Sequence, residues 1–175
     1  FLDTDGNVIK GKSWNTSYAV GVPGTVAGLG YAHQKYGTQR WYSLLQPSIK
    51  LAKFGHNIDY LNFSLLNSSY YKKYLSIDEE NKKIFYKEEG FLLGDLFVQK
   101  DLASTLIRIA NHGYKEFYEG KTSEYILDCM NRTGGLISSS DLKKYRPIER
   151  KPIEFKYGDY KVITMPPASS GGIVL

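Results

Sequence analysis

Pro152-Ile153-Glu154-Phe155-Lys156-Tyr157-Gly158-Asp159-Tyr160-Lys161-Val162-Ile163-Thr164-Met165 alternates apolar with polar residues on either side of a Gly-Asp turn, which is the period of a strand. It predicts a hairpin. Before Arg146 the apolar spacing is helical, so the chain reads as a helix-rich α+β domain whose only substantial strands lie near its C-terminal end. After the hairpin, Met165-Pro166-Pro167-Ala168-Ser169-Ser170-Gly171-Gly172-Ile173-Val174-Leu175 stops the extended segment at two prolines, turns through small residues and begins an apolar run. That run, and Phe1 in place of a methionine, read as an internal piece of a longer protein: a single partial domain over residues 1–175.

With 175 residues, 42% hydrophobic and 23% charged, the composition is that of a globular domain with a real core. No apolar run approaches the roughly 18 residues of a membrane span, and residues 1–10 contain no signal-peptide core, so no membrane contact is expected from this segment. The net charge of +5 comes from scattered lysines, which describe a solvated surface and not a nucleic-acid footprint. Cys129 is the only cysteine, so no disulfide framework or cysteine cluster for zinc can form within the chain. Its place beside Ile126 and Met130 on a helical stripe predicts an inert, inward-facing thiol.

Further elements follow from punctuation and period. Asp5-Gly6 predicts a turn between Leu2 and Val8-Ile9, and residues 18–22 an apolar strand ending at Pro23-Gly24. A helix is expected over residues 25–36, where Gly24, Ala27 and Gly28 form a small-residue face for close packing. Residues 41–54 should form two short helices or one kinked at Pro47. Asp59 should cap a helix running to about Tyr74 with Leu61, Leu65 and Leu66 inward, and residues 82–86 a short strand or extended link. The best helical pattern spans residues 100–112, with Leu102, Ala103, Leu106, Ile109 and Ala110 on one face and Gly113 closing it. A helical turn near residues 114–118, a helix over 121–132 and a short helix over 139–144 complete the series, the last begun by a capping box of Ser138 and Asp141.

Few residues carry recognisable chemistry. The order of Asp3-Thr4-Asp5-Gly6-Asn7 departs from a calcium loop, in which glycine is sixth and a glutamate twelfth. His33, His56 and His112 stand alone near helix ends, and Glu79-Glu80 and Glu88-Glu89 lie in lysine-flanked polar stretches. No metal or other cofactor is therefore expected. Asn15, Asn62, Asn67 and Asn131 each open a glycosylation triplet. The one suggestive stretch is Ser169, Ser170, Gly171 and Gly172, where small residues at a helix start could expose amides to a carboxylate or an oxyanion. The competing reading is an N-cap whose glycines permit close packing.

Taken in order, Val20-Gly21-Val22-Pro23-Gly24-Thr25-Val26-Ala27-Gly28, Pro47-Ser48-Ile49-Lys50-Leu51-Ala52, Gly94-Asp95 with Gln99-Lys100-Asp101-Leu102-Ala103, Phe117-Tyr118-Glu119-Gly120, Gly134-Gly135-Leu136-Ile137 with Asp141-Leu142, and the stretch from Pro166 to Gly172 resemble the γ-glutamyltranspeptidase (glutathione hydrolase) family. The resemblance is collinear over essentially the whole chain. It implies an N-terminal nucleophile (Ntn) hydrolase, an αββα sandwich, made from a proenzyme that cleaves itself into two subunits. A new N-terminal threonine then attacks the γ-glutamyl amide of glutathione and related compounds, and the acyl group passes to water or to an amino acid or peptide.

The same resemblance implies that this chain is an internal segment of the large subunit, with the small subunit of the same proenzyme as its partner. A periplasmic or extracellular location is implied as well. The family's nucleophile, oxyanion glycines and carboxylate-binding arginine fall outside residues 1–175, so no catalytic residue carries over and the segment alone is expected to be inactive. Ala168 stands where the family often has a third proline. Within this resemblance Ser169 to Gly172 read as a hinge from the hairpin into the next helix more than as an active-site contact. The alternatives are a related Ntn acylase or poly-γ-glutamate depolymerase, and, of another class, a non-enzymatic helical interaction domain.

Overall fold

The computed structural model describes residues 1–175 apart from Asn15, Leu175 and the side chain of Ile173, and divides into two compact units, Phe1–Tyr145 and Arg146–Leu175. The first unit opens as the turn chemistry predicts. Leu2 bridges Val8 in antiparallel fashion, and the Asp3 carboxylate accepts from the amides of Asp5 at 3.0 Å and Asn7 at 2.8 Å. The strand expected at residues 18–22 does not form. Ser17–Ala19 is instead a single 3-10 turn, because apolar β-formers make a strand only where another edge accepts their hydrogen bonds.

Helix α1 (Thr25–Tyr36) has the expected bounds, yet its N-cap is Gly24, which has no side chain to satisfy the first amides. The phenol of Tyr118 does so from 91 residues away: it accepts from the Ala27 amide at 3.0 Å and donates to the Pro23 carbonyl at 2.6 Å. Tyr145 stacks on Tyr118 with ring centroids 5.6 Å apart, and its hydroxyl occupies the space that a Cβ on Gly24 would need. The expected close approach is therefore real at Gly24 and at buried Ala27, whereas Gly28 faces open space; Gly30, packed on the Tyr114 ring, takes its place.

Burial pushes the Tyr118 phenol above its ordinary value of 10, against the opposing pull of the Ala27 amide. The neutral phenol thus stabilises the folded chain fully below pH 10, and the contribution fades as pH rises through the folded-state value. Tyr118→Phe should cost about 1–3 kcal/mol by leaving the Ala27 amide and Pro23 carbonyl unpaired. It should also flatten the alkaline limb of a plot of urea midpoint against pH.

Helix α2 (Trp41–Phe54) is one helix, not two, with Pro47 inside it. Losing one ladder bond and crowding the preceding turn costs about 3 kcal/mol in a lone helix. Here α2 packs along α6 (Lys100–His112), and Trp41 Nε1 donates to the Ile109 carbonyl at 2.9 Å. Gly55, at a φ of 86°, turns the chain into strand β1 (His56–Asn57), which pairs antiparallel with β2 (Leu96–Phe97). In α6 the inward residues are Ala103, Ile109 and Ala110, with Leu106 half-buried; Leu102, expected on that face, is exposed.

Between β1 and β2 the sequence reading needs three corrections. The helix from Asp59 is two, α3 (Tyr60–Asn67) and α4 (Ser69–Leu75), because the Ser68 hydroxyl accepts from the Tyr71 amide and restarts the helix as an N-cap. Leu61 and Leu65 are exposed, and only Leu66 of the three predicted leucines is partly buried. Of residues 82–86 only the C-cap Tyr86 is extended; the others close α5 (Glu79–Phe85), whose first turn is capped by Asp78 and is acidic, and whose last turn is basic.

The loop before β2 is pinned by Asn67. Its amide nitrogen donates to the Phe63 and Phe91 carbonyls, each at 2.9 Å, and its oxygen accepts from the Phe91 amide at 2.9 Å. This asparagine opens one of the glycosylation triplets, but its amide is fully engaged in structure; the triplet at Asn15 falls outside the described residues. Asn67→Asp keeps the acceptor and loses both donors, so it should cost about 1–3 kcal/mol. It should accelerate hydrogen exchange at the Phe91 amide, and unchanged exchange there would show that Asn67 does not hold the loop.

The main core lies where α1 meets α7 (Glu116–Glu119), α8 (Lys121–Thr133) and α9 (Ser139–Lys144): Ala27, Tyr118, Met130, Ile137 and Leu142 are buried together, with Ile126 and Cys129 packed against them. Helix α9 begins with the predicted capping box, Ser138 and Asp141 bonding each other's backbone. The Ser138 hydroxyl and amide hold the Asp141 carboxyl below its ordinary 3.8. The box is therefore intact above about pH 4 and is lost as pH falls through the lower folded-state value.

In the second unit the predicted hairpin is present as β3 (Ile153–Tyr157) and β4 (Tyr160–Thr164), in the register Ile153↔Thr164 to Tyr157↔Tyr160. Gly158 at the turn has a φ of 57°. Ile153, Phe155, Val162 and Thr164 share the more buried face, while Glu154 and Lys161 on the other form a 2.7 Å ion pair.

Candidate functional site

Ser169, Ser170, Gly171 and Gly172 follow β4 in the second unit. The Ser169 amide donates to the Pro166 carbonyl at 3.2 Å, closing a turn across the two prolines, and α10 (Gly171–Val174) starts at once, with the Val174 amide on the Ser170 carbonyl at 3.2 Å. Gly172 is the tightest point. A Cβ there would collide with the Met165 carbonyl oxygen and press on Thr164 and Ile153, both of the hairpin. Only a residue without a side chain lets the helix start lie this close to the strand that precedes it. Gly171, by contrast, has room for a Cβ, whose nearest neighbour would be Ser169 Oγ at 3.7 Å.

Beside this turn the unit carries a recess of about 630 Å³. Its wall includes Ile163, Met165, Pro166 and Pro167, with Arg150, Thr164 and Ser169 as polar members. Such a wall holds apolar groups and one anion, and its lining residues include no histidine, carboxylate or lysine to activate the Ser169 hydroxyl. His33 Nε2 is occupied by the Gln39 carbonyl at 2.8 Å, and His56 lies edge-on to Phe97. Among the described residues no three His, Cys, Asp or Glu side chains converge as a metal site would require.

A buried polar cluster around Glu116 is one that sequence reasoning missed. Glu116 accepts from Arg108 Nε at 3.2 Å, from the Thr122 amide at 3.1 Å and from the Thr122 hydroxyl at 2.7 Å, and Arg108 also reaches Thr105. These contacts run between α6, α7 and α8, so the cluster ties the three helices together, with the Glu116 carboxylate buried and its own bonds all made within the chain. No motif announces it, because Arg108 and Glu116 meet only through the bend at Gly113.

The structural matches give the class first: this helix-rich chain is a piece of the Ntn-hydrolase fold. It belongs to the γ-glutamyltranspeptidase family, whose model matches residues 1–175. It is 44% identical over 176 residues to the glutathione hydrolase proenzyme of Escherichia coli, covering 99% of this chain and 30% of that protein. The crystal structure of Helicobacter pylori γ-glutamyltranspeptidase matches with a TM-score of 0.92 at 42% identity, over 98% of this chain and 49% of that one. The transpeptidase CapD of Bacillus anthracis matches with a TM-score of 0.76 at 37% identity, over 87% of this chain and 51% of that one. The chain thus spans about a third of the length of its curated relatives and half of the matched chains.

Proposed function

We propose that this chain is an internal segment of the large subunit of a γ-glutamyltransferase, contributing scaffold and not chemistry. The observation that carries the reading is the collinear match over residues 1–175, which spans both compact units and so supports a single partial domain. In the whole protein, a threonine freed by self-cleavage attacks the γ-carbonyl of a donor such as glutathione. An ester forms as the amine leaves with a proton, and water or an amino acid then takes the glutamyl group. The partner of this segment is the small subunit of the same proenzyme, which supplies that threonine, and the location is periplasmic or extracellular. Among the described residues no helix is long and apolar enough to cross a membrane.

Within this reading Ser169, Ser170, Gly171 and Gly172 act as the hinge between β4 and the next helix, supported by the missing room at Gly172; a substrate contact through Ser169 is the lesser role. The test is the protein expressed with its full flanking sequence. It should split into two chains and release glutamate from a γ-glutamyl anilide, and residues 1–175 alone should do neither. A protein that stays whole and inert overturns the assignment.

A further inference from the structure

Asp5-Gly6 is the only place in the chain where an aspartate or an asparagine precedes a glycine. The pairing matters because the amide nitrogen that follows an aspartate can attack the side-chain carboxyl carbon, and glycine alone leaves that nitrogen unshielded by a Cβ. A folded chain permits the attack where the carboxyl is free to turn, the amide is weakly held and the ring that forms has room.

Residues 3–7 meet these conditions. The Asp5 side chain is exposed, and among the described residues its carboxylate accepts no hydrogen bond and joins no ion pair. The Gly6 amide donates to the Asp3 carbonyl at 3.2 Å, the long end of the usual range. Gly6 has a φ of 85°, and no heavy atom lies within 4 Å of the point where a Cβ would stand. Other aspartates are restrained: the carboxylates of Asp59, Asp78, Asp95 and Asp141 accept from backbone amides, and that of Asp128 pairs with Arg132. Asp3, two residues earlier, is held as well, since it accepts from the Asp5 and Asn7 amides and from Asn7 Nδ2.

We propose that Asp5 is a site of spontaneous isomerisation to isoaspartate, with water as the only reagent, and that the conversion releases the turn between Leu2 and Val8. The Gly6 nitrogen bonds to the Asp5 side-chain carboxyl carbon and gives up its proton as the carboxyl oxygen departs as water. Water then adds to the α-carbonyl of the succinimide, the bond from that carbon to the Gly6 nitrogen breaks, and the nitrogen regains a proton. The main chain now runs through the Asp5 side chain and is one carbon longer, and the former backbone carbonyl is a free carboxylate, so mass and charge are unchanged. The turn is set for the shorter chain. Asn7 donates to Asp3 Oδ1 at 2.8 Å and accepts from the Asp3 amide at 2.9 Å, and Leu2 bridges Val8 just beyond. Every reacting atom lies in residues 5 and 6, so the reaction does not depend on the activity of the complete protein.

The test ages the protein expressed with its full flanking sequence at neutral pH, natively and in guanidinium chloride. The tryptic peptide ending at Lys10 is followed by chromatography and electron-transfer fragmentation, with an isoaspartyl methyltransferase and labelled S-adenosylmethionine as an independent probe. Isoaspartate should accumulate at Asp5 natively at a rate no more than tenfold below that in denaturant, and stronger native protection overturns the proposal. Asp5→Glu should abolish the signal, because a six-membered ring closes far more slowly; a signal that persists belongs to Asp3 and overturns the assignment. Asp5→Asn should raise the rate at least tenfold, since ammonia leaves a carboxamide more readily than water leaves a carboxylate, and an unchanged rate counts against attack at that side chain. In the aged fraction the Asn7 amide should exchange its hydrogen at least tenfold faster than in fresh protein. Unchanged exchange overturns the release of the turn.

Discussion

Glu116→Ala is expected to destabilise the first unit by about 3 kcal/mol, the low end of the 3–5 kcal/mol for breaking a buried ion pair, because Arg108 keeps some contact with water. The Glu116 side chain is 5% exposed and that of Arg108 24%. Removing the carboxylate takes three accepted hydrogen bonds at once, from Arg108 Nε, the Thr122 amide and the Thr122 hydroxyl. It strands a guanidinium that would keep only Thr105, Thr122 and the face of Tyr125, 5.5 Å away. The loss would be read as a lower urea midpoint with an unchanged slope. Pairing it with Arg108→Met should recover part of the loss, since an absent pair costs less than half of one. A single-mutant loss below about 1 kcal/mol would mean that the cluster is worth no more than an exposed pair.

Leu142→Ala should cost a comparable amount, about 2–5 kcal/mol, through lost burial and the cavity left behind. Leu142 is 0% exposed and lies in the main cluster with Ala27, Tyr118, Met130 and Ile137. It is the only buried residue of the six-residue helix α9, so the cavity would open where that helix is held by little besides its capping box. Leu142→Met, which nearly conserves volume, should cost less than about 1.5 kcal/mol. Similar losses for both variants would show that the site tolerates collapse and that α9 is held mainly by its cap.

Much of the architecture was legible because its causes are local. The stops of α1 at Gly37 and α6 at Gly113, the Ser138–Asp141 box and the β3–β4 hairpin with its Gly158 turn all rest on interactions within a few residues, which period and punctuation report directly. Local signals also existed for two of the misreadings. Ser68 could have been read as a second cap, and Asp78 followed by two glutamates and two lysines as a helix and not an extended link. The strand expected at residues 18–22 failed for a different reason: its apolar run is satisfied by neither a partner edge nor a ladder.

The candidate site was legible as a stretch and not as a role. The small residues from Ser169 to Gly172 were visible, and that the first glycine is roomy while the second is indispensable followed only from the Met165 carbonyl lying across Gly172.

The sequence by itself determined that this is a helix-rich α+β chain of the γ-glutamyltranspeptidase family, since motif order and hydrophobic period are properties of the string of residues. Tertiary structure alone decided that Tyr118 caps a helix begun 91 residues earlier and that Glu116 closes on Arg108 and Thr122. Hydrogen bonds and apolar contacts between distant positions depend on where packing brings the backbone, and no repeat of 2 or 3.6 residues encodes that.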